Sequence, residues 1–232
     1  MIQNEETRTS GRQRILIICI AVFMLASTFA LYASIVIGAN NSKSDTAAQE
    51  EKQNRFNELY SQYLDLKNKQ AEELSKQYFD TFVAYKSRVK SFNAKDVTEI
   101  VTKDLKKGSG KKVESEEFVN YAAYYIGWLS DETIFDSSFD DPSNPTSLTS
   151  PLEGSTNMIE GWIEGIQGMH LGGIREITIP AALAYGETEQ NGIPANSPLK
   201  FVVMLIEKPA EIEFEHEDEL NQLLEELYGI TD

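Results

Sequence analysis

Three hydrophobic rhythms succeed one another along this chain. From Ile15 to Ala39 apolar residues run on without a single charge, a stretch long enough to cross a bilayer as a helix. Arg8, Arg12 and Arg14 precede it, and the sequence beyond it turns acidic. The positive-inside bias then predicts a cytoplasmic N-terminus over residues 1–14, a single-pass signal anchor over 15–39 and an extracytoplasmic remainder. A cleavable signal peptide is the competing reading, with Thr28-Phe29-Ala30 as its cleavage site. Signal-peptide apolar regions are usually about 7–15 residues, whereas this one continues to Ile37, which favours the uncleaved anchor.

The second rhythm is helical. Between Gly38 and Gly108 there is neither glycine nor proline, the two strongest breakers of regular structure. Phe56, Leu59, Tyr60, Tyr63, Leu74, Tyr78, Phe82, Tyr85, Val89 and Phe92 follow one another mostly in steps of three and four. That is the period of an amphipathic helix, close to a heptad repeat. It predicts a helical stalk over residues 45–92. The stripe weakens at Lys67 to Gln70, and it is too aromatic to face water. A partner copy would cover it as a coiled-coil homodimer; a hairpin turn near Leu66–Ala71 would cover it within one chain.

From about residue 96 the rhythm becomes that of strands. Val97 to Val101 alternates ahead of the turn signal Lys106-Lys107-Gly108-Ser109-Gly110. Phe118 to Leu129 reads as a long strand, Asp131-Glu132 as a turn, and Thr133 to Asp136 as the returning strand. A polar, proline-bearing loop covers 140–151, and Glu160 to Gln167 holds one or two turns of helix. Arg175 to Pro180 and Leu199 to Glu207 are further strands. The sum is an α+β domain over 96–209, an antiparallel β-sheet with a short helix on its face. An acidic tail over 210–232 follows, with Leu220, Leu223, Leu224 and Leu227 at helical spacing. It reads as a short helix packing its leucines on its own domain or on the stalk. A docking tail for a basic partner is the alternative.

Composition narrows the chemistry. A net charge of −16 and a pI near 4.6 argue against nucleic-acid binding, which needs clustered Lys and Arg. Cys19 is the only cysteine and there are two histidines, so disulfides, thiol catalysis and a metal centre are not expected, and no cofactor is implied. Gly108-Ser109-Gly110-Lys111 lacks the earlier glycine of a P-loop, and the glycines from Gly161 to Gly173 do not fall in the dinucleotide pattern. His170 reads as a surface histidine. Asn40-Asn41-Ser42 fits a glycosylation acceptor but lies against the membrane.

What remains is an ordered series of short pieces. Tyr124-Tyr125-Ile126-Gly127 is followed by Phe135-Asp136-Ser137-Ser138 and by Met158-Ile159-Glu160-Gly161-Trp162-Ile163-Glu164-Gly165. Met169-His170-Leu171-Gly172-Gly173, Ile177-Thr178-Ile179-Pro180 and Leu183-Ala184-Tyr185-Gly186 come next. Gly192-Ile193-Pro194-Ala195-Asn196-Ser197 and Leu199-Lys200-Phe201 close the series. In this order the chain resembles the FKBP-type peptidyl-prolyl cis-trans isomerases over about Asp96 to Pro209. The resemblance implies a sheet wrapped around the short helix, with proline-containing polypeptides as substrates.

It also implies roles for individual residues. Trp162 is the expected floor beneath the prolyl ring, with Tyr125, Phe135, Met158, Ile159, Ile193 and Phe201 lining the pocket. The Tyr185 hydroxyl and the Ile159 N–H are the expected donors to substrate carbonyls, and Asp136 stands at the edge beside the Tyr125 phenol. The expected catalytic set is therefore Tyr125, Asp136 and Tyr185. A mostly apolar, aromatic pocket suits a reaction in which no bond breaks. One departure stands out: where the family often places another aromatic wall, before Pro151-Leu152, this chain has Leu148-Thr149-Ser150. A more open pocket is expected there. Helical segment followed by isomerase is similar to the layout of the dimeric Mip-like surface members.

Overall fold

The computed structural model describes residues 43–114, 120–155, 158–190 and 192–229. The stretch 1–14, the anchor segment 15–39, Cys19 and the Asn40 acceptor lie outside the described residues. Among the described residues no helix is long and apolar enough to cross a membrane. The chain divides into two compact units. One takes in the chain up to Asp65 together with everything from Glu213 onward; the other is Leu66–Ile212.

The first described helix, α1 (Lys43–Val83), is continuous, so the hairpin considered near Leu66–Ala71 does not form. The polar gap at Lys67 to Gln70 falls just past the boundary between the units. In the smaller unit, Phe56 and Leu59 are buried against Leu220, Leu223 and Leu224 of α3 (Glu217–Tyr228), with Tyr60, Tyr63, Phe214 and Leu227 around them. The tail leucines thus pack on the stalk, one of the alternatives their spacing allowed. The Arg55 guanidinium donates to both Glu219 carboxylate oxygens at 2.7 and 2.9 Å, and Lys52 lies 2.7 Å from Glu226. These pairs are largely solvent-exposed and add little stability; the leucine cluster holds the unit together.

The larger unit is built on one antiparallel sheet. Its strands are β1 (Val101–Lys106), β2 (Tyr121–Trp128), β3 (Ile134–Ser137), β4 (Leu152–Glu153), β5 (Ile174–Ile179) and β6 (Leu199–Glu207). They lie in the order β1-β5-β6-β2-β3, with β4 paired to β2. Side chains alternate between faces along a strand, and here both faces are covered. Tyr121, Ala123, Tyr125, Ile177, Ile179, Leu199, Phe201, Val203 and Leu205 face one cluster, which holds the short helix α2 (Glu160–Ile166). Ala122, Tyr124, Ile126, Trp128, Ile174, Val202, Met204 and Ile206 face the other.

The second cluster corrects the stalk reading. Phe82 is wholly buried there, with Leu74, Tyr78, Phe79, Val83, Tyr85, Val89 and Phe92 packed around the same core. Beyond Val83 the helix tightens into a 3-10 turn over Ala84–Arg88 instead of continuing to 92. The Arg88 guanidinium donates to Glu176 at 2.6 and 2.8 Å, the Trp128 indole N–H donates to the Lys90 carbonyl at 3.0 Å, and the Phe92 N–H donates to the Ser130 carbonyl at 3.0 Å. The stripe that suggested a coiled coil between two copies is covered by its own chain. For the same reason the compact unit begins near Leu66, not at the Asp96 boundary drawn from the motifs.

Candidate active site

The α2 helix has only seven residues, too few to be stable by itself. Tertiary packing makes it. Gly161 and Gly165 stand one turn apart on the face toward β5, where a Cβ on Gly161 would come within 2.2 Å of Ile179 Cγ2 and one on Gly165 within 2.5 Å of Ile177 Cγ2. These two glycines let the helix backbone lie directly on the strand. The neighbouring Trp162 and Ile166 then plunge into the core, 2% and 0% exposed. The Ile159 carbonyl accepts the Trp162 and Ile163 N–H groups at 2.9 and 3.3 Å, so Ile159 stands at the helix entrance.

Around Trp162 the rings meet at right angles. Tyr125 stands against it with centroids 5.6 Å apart and an interplanar angle of 88°, and Phe201 does so at 5.4 Å and 90°. Phe135 in turn meets Phe201 at 5.5 Å and 86°. Edge-to-face contact is one of the arrangements that aromatic quadrupoles favour. Gly127 makes room for it: paired across the sheet with Phe201 and Asp136, it would place a Cβ 2.7 Å from both Phe135 Cζ and Phe201 Cε1. Ile193 is buried in the same cluster, with Met158 and Ile159 half-buried against it.

The polar edge comes from β2, β3 and the loop after β5. The Tyr125 phenol donates to Asp136 Oδ2 at 2.5 Å, a short, charge-assisted bond. Asp136 is exposed. Tyr185 is 37% exposed; burial of its hydroxyl and then the charge of Asp136 raise its pKa. Burial first, then the bond to Asp136, raises that of Tyr125 well above the ordinary phenol range. Both hydroxyls therefore stay protonated, and able to donate, through neutral and mildly alkaline pH.

The structure thus brings seven of the nine expected residues (Tyr125, Phe135, Met158, Ile159, Trp162, Ile193 and Phe201) into or against one cluster, and it places Asp136 and Tyr185 at its polar edge. Leu148 goes elsewhere. It is 3% exposed, on the α1 side of the sheet, and its N–H donates to the buried Ser75 Oγ at 2.8 Å. That bond ties Leu148 to α1. Near it a separate groove of about 1030 Å³, walled by Asn68, Glu72, Lys76, Phe79 and residues 146–150, contains none of the aromatic set.

Two contributors were missed in the sequence. Tyr121 accepts the Trp162 indole N–H at 3.0 Å, and the buried Ser138 Oγ accepts the Tyr125 N–H at 3.0 Å. Neither carries a local signal, since each bond joins residues brought together only by the sheet.

Comparison with known proteins gives the family. Residues 109–206 match the family model of the FKBP-type peptidyl-prolyl cis-trans isomerases. An FK506-binding protein of Neisseria meningitidis is 38% identical over 109 residues, which is 46% of this chain and 94% of that protein. This chain belongs to the FKBP-type family. FKBP-type relatives also include the isomerase FkpA of Aeromonas hydrophila, 42% identical over 107 residues, 45% of this chain and 37% of FkpA. FK506-binding protein 4 of Emericella nidulans is 39% identical over 117 residues. That match covers 50% of this chain and 23% of the fungal protein, so the chain spans about a quarter of the length of that relative. The FKBP match ends at residue 206 and starts at 109; α1 and α3 lie outside it.

Proposed function

We propose that this protein accelerates cis–trans rotation about Xaa-Pro bonds in extracytoplasmic polypeptides, held at the membrane by residues 15–39. The observation that carries the reading is the perpendicular aromatic set around Trp162, edged by the Tyr125–Asp136 pair. Resonance gives the peptide C–N bond a barrier of roughly 18–20 kcal/mol, and rotation before proline takes tens to hundreds of seconds. In the twisted state conjugation is lost and the charge separation of the planar amide falls. An apolar cavity therefore disfavours the planar form more than the twisted one. Trp162, Phe201 and Phe135 hold the prolyl ring while the acyl side turns, and Tyr185 and the Ile159 N–H take the carbonyls. Lowering the barrier by about 5.5 kcal/mol would speed exchange roughly 10⁴-fold. The chemistry needs no nucleophile, metal or proton relay.

The test is NMR exchange of an Xaa-Pro peptide with the full chain. Acceleration is expected, falling roughly tenfold in Tyr185→Phe and in Asp136→Ala, about 1.4 kcal/mol of lost transition-state stabilisation each. No acceleration by the unmodified chain refutes the enzyme. Leu148 lies on the far side of the sheet, away from the aromatic set, and this favours a second reading: a non-catalytic module or holdase that binds proline-containing segments. Peptide resonances that shift on titration without faster exchange would establish it.

The membrane placement rests on the uncharged stretch and the arginines before it. Protease added outside intact cells should cut residues beyond 40 and spare an N-terminal tag; the reverse pattern overturns the topology. A homodimer through the stalk is not part of the proposal, because the stripe that suggested it is covered within the chain.

A further inference from the structure

We infer that Tyr121 is a positioning residue for the pocket floor: its hydroxyl accepts the Trp162 indole N–H and thereby fixes which way the indole lies beneath a prolyl ring. The inference rests on the isomerase reading of the site. Tyr125 and Phe201 each meet the indole edge to face, yet such contact sets the angle between ring planes and not which way round the indole lies within its own plane. It does not by itself distinguish one rotation of the ring from its flipped counterpart. The indole N–H does. Trp162 is 2% exposed, so its single polar atom needs a partner inside the protein. Tyr121 Oη meets it at 3.0 Å, in a bond buried at both ends.

The acceptor is itself firmly held. Tyr121 is 1% exposed, pairs with Glu207 across the sheet, and its carbonyl accepts the Gly154 N–H at 2.9 Å. It lies on the same face of β2 as Tyr125, four residues earlier, so one strand supplies both a wall of the pocket and the latch on its floor. The other indole, Trp128, donates to the Lys90 carbonyl on the opposite face. The two tryptophans are therefore separable in any measurement.

Tyr121→Phe keeps the ring and removes only the acceptor. A tilted floor weakens the grip on the prolyl ring in the planar and twisted states alike. The full-chain variant is expected to raise KM for an Xaa-Pro peptide roughly 3–10-fold with kcat within about twofold. The Trp162 indole N–H resonance should move upfield and exchange faster with water while that of Trp128 stays put. A role confined to stability would instead lower apparent kcat, through a smaller folded fraction, at unchanged KM. Unchanged KM in a folded variant overturns the inference. So does a Trp162 indole N–H in the unmodified chain that exchanges as freely as an exposed one, a measurement that stands even if the variant does not fold. Absence of acceleration by the unmodified chain refutes the isomerase reading instead, and the exchange measurement still decides the latch.

Discussion

A fragment of residues 93–212 is expected not to fold, whereas 66–212 is expected to melt cooperatively. The motifs alone suggest that the shorter piece is a whole domain, since every expected pocket residue lies within it. The packing says otherwise. Without the preceding chain, Ala122, Tyr124, Ile126, Trp128, Ile174, Val202, Met204 and Ile206 lose the helix that covers their face of the sheet and keep only Leu105, Ile134, Phe139 and Leu148. Phe82 and, partly buried, Leu74, Tyr78, Phe79, Val83, Tyr85, Val89 and Phe92 are the side chains removed. Full burial of a large apolar side chain is worth about 1.5–3 kcal/mol; with Phe82 fully buried and the others partly so, together they contribute on the order of 10 kcal/mol, comparable to the whole stability of an ordinary domain at about 5–15 kcal/mol. The Trp128 N–H would also lose Lys90, and the Leu148 N–H would lose Ser75. Near-UV circular dichroism and thermal melting decide it. Cooperative melting of 93–212 at the temperature of 66–212 would refute the argument.

How much of this was legible in the sequence depends on the range of the interaction. The strands were, because their signal is local: Ile134–Ser137, Ile174–Ile179 and Leu199–Glu207 fall within about a residue of their expected positions, as does the pocket helix. The two-residue β4 is too short to leave a pattern. Val97 to Ile100, expected as strand, is not; β1 starts at Val101, after a 3-10 turn at Ala94–Asp96 whose entry is capped by Asn93. The covering of the second face left a clue that periodicity alone did not resolve. Tyr121–Trp128 and Leu199–Ile206 are apolar at nearly every position, not at alternate ones. A strand of that kind is buried on both sides, so something had to lie over each. The second half of the helical stripe, Leu74 to Phe92, was the matching surface, while the first half packs on α3.

The site divides in the same way. Its aromatic members could be named because they sit in recognisable runs, and the structure gathers them. The bonds that hold them still, Tyr121 to Trp162 and Ser138 to the Tyr125 backbone, are products of strand pairing and could not be read from spacing. Gly127 lies between. It stands in a recognisable run, but its reason, the room needed by Phe135 and Phe201, is visible only once the sheet is assembled.

The two tryptophans allow a sharp separation of stability from function, because each anchors one face of the same sheet. Trp128→Ala and Trp162→Ala should each cost roughly 3–5 kcal/mol in urea unfolding, the usual range for deleting a buried large aromatic. Both side chains are nearly fully buried, at 1% and 2% exposed. Each also donates its indole N–H internally, so the partner oxygen, Lys90 carbonyl or Tyr121 hydroxyl, loses a bond in the variant. Their effects on rate should part company. Trp128 touches the cluster beneath α1, and its loss should leave the turnover of each folded molecule within about twofold of the unmodified chain. Trp162 touches Tyr125 and Phe201. Its removal takes away the floor and lets those rings lean into the gap, so isomerisation per folded molecule should fall more than roughly tenfold, at least about 1.4 kcal/mol of transition-state stabilisation. Rates must be corrected for the folded fraction measured under the assay conditions. Equal losses of rate in the two variants would mean that the pocket does not lie on the α2 face, and the whole assignment of the site would fall with it.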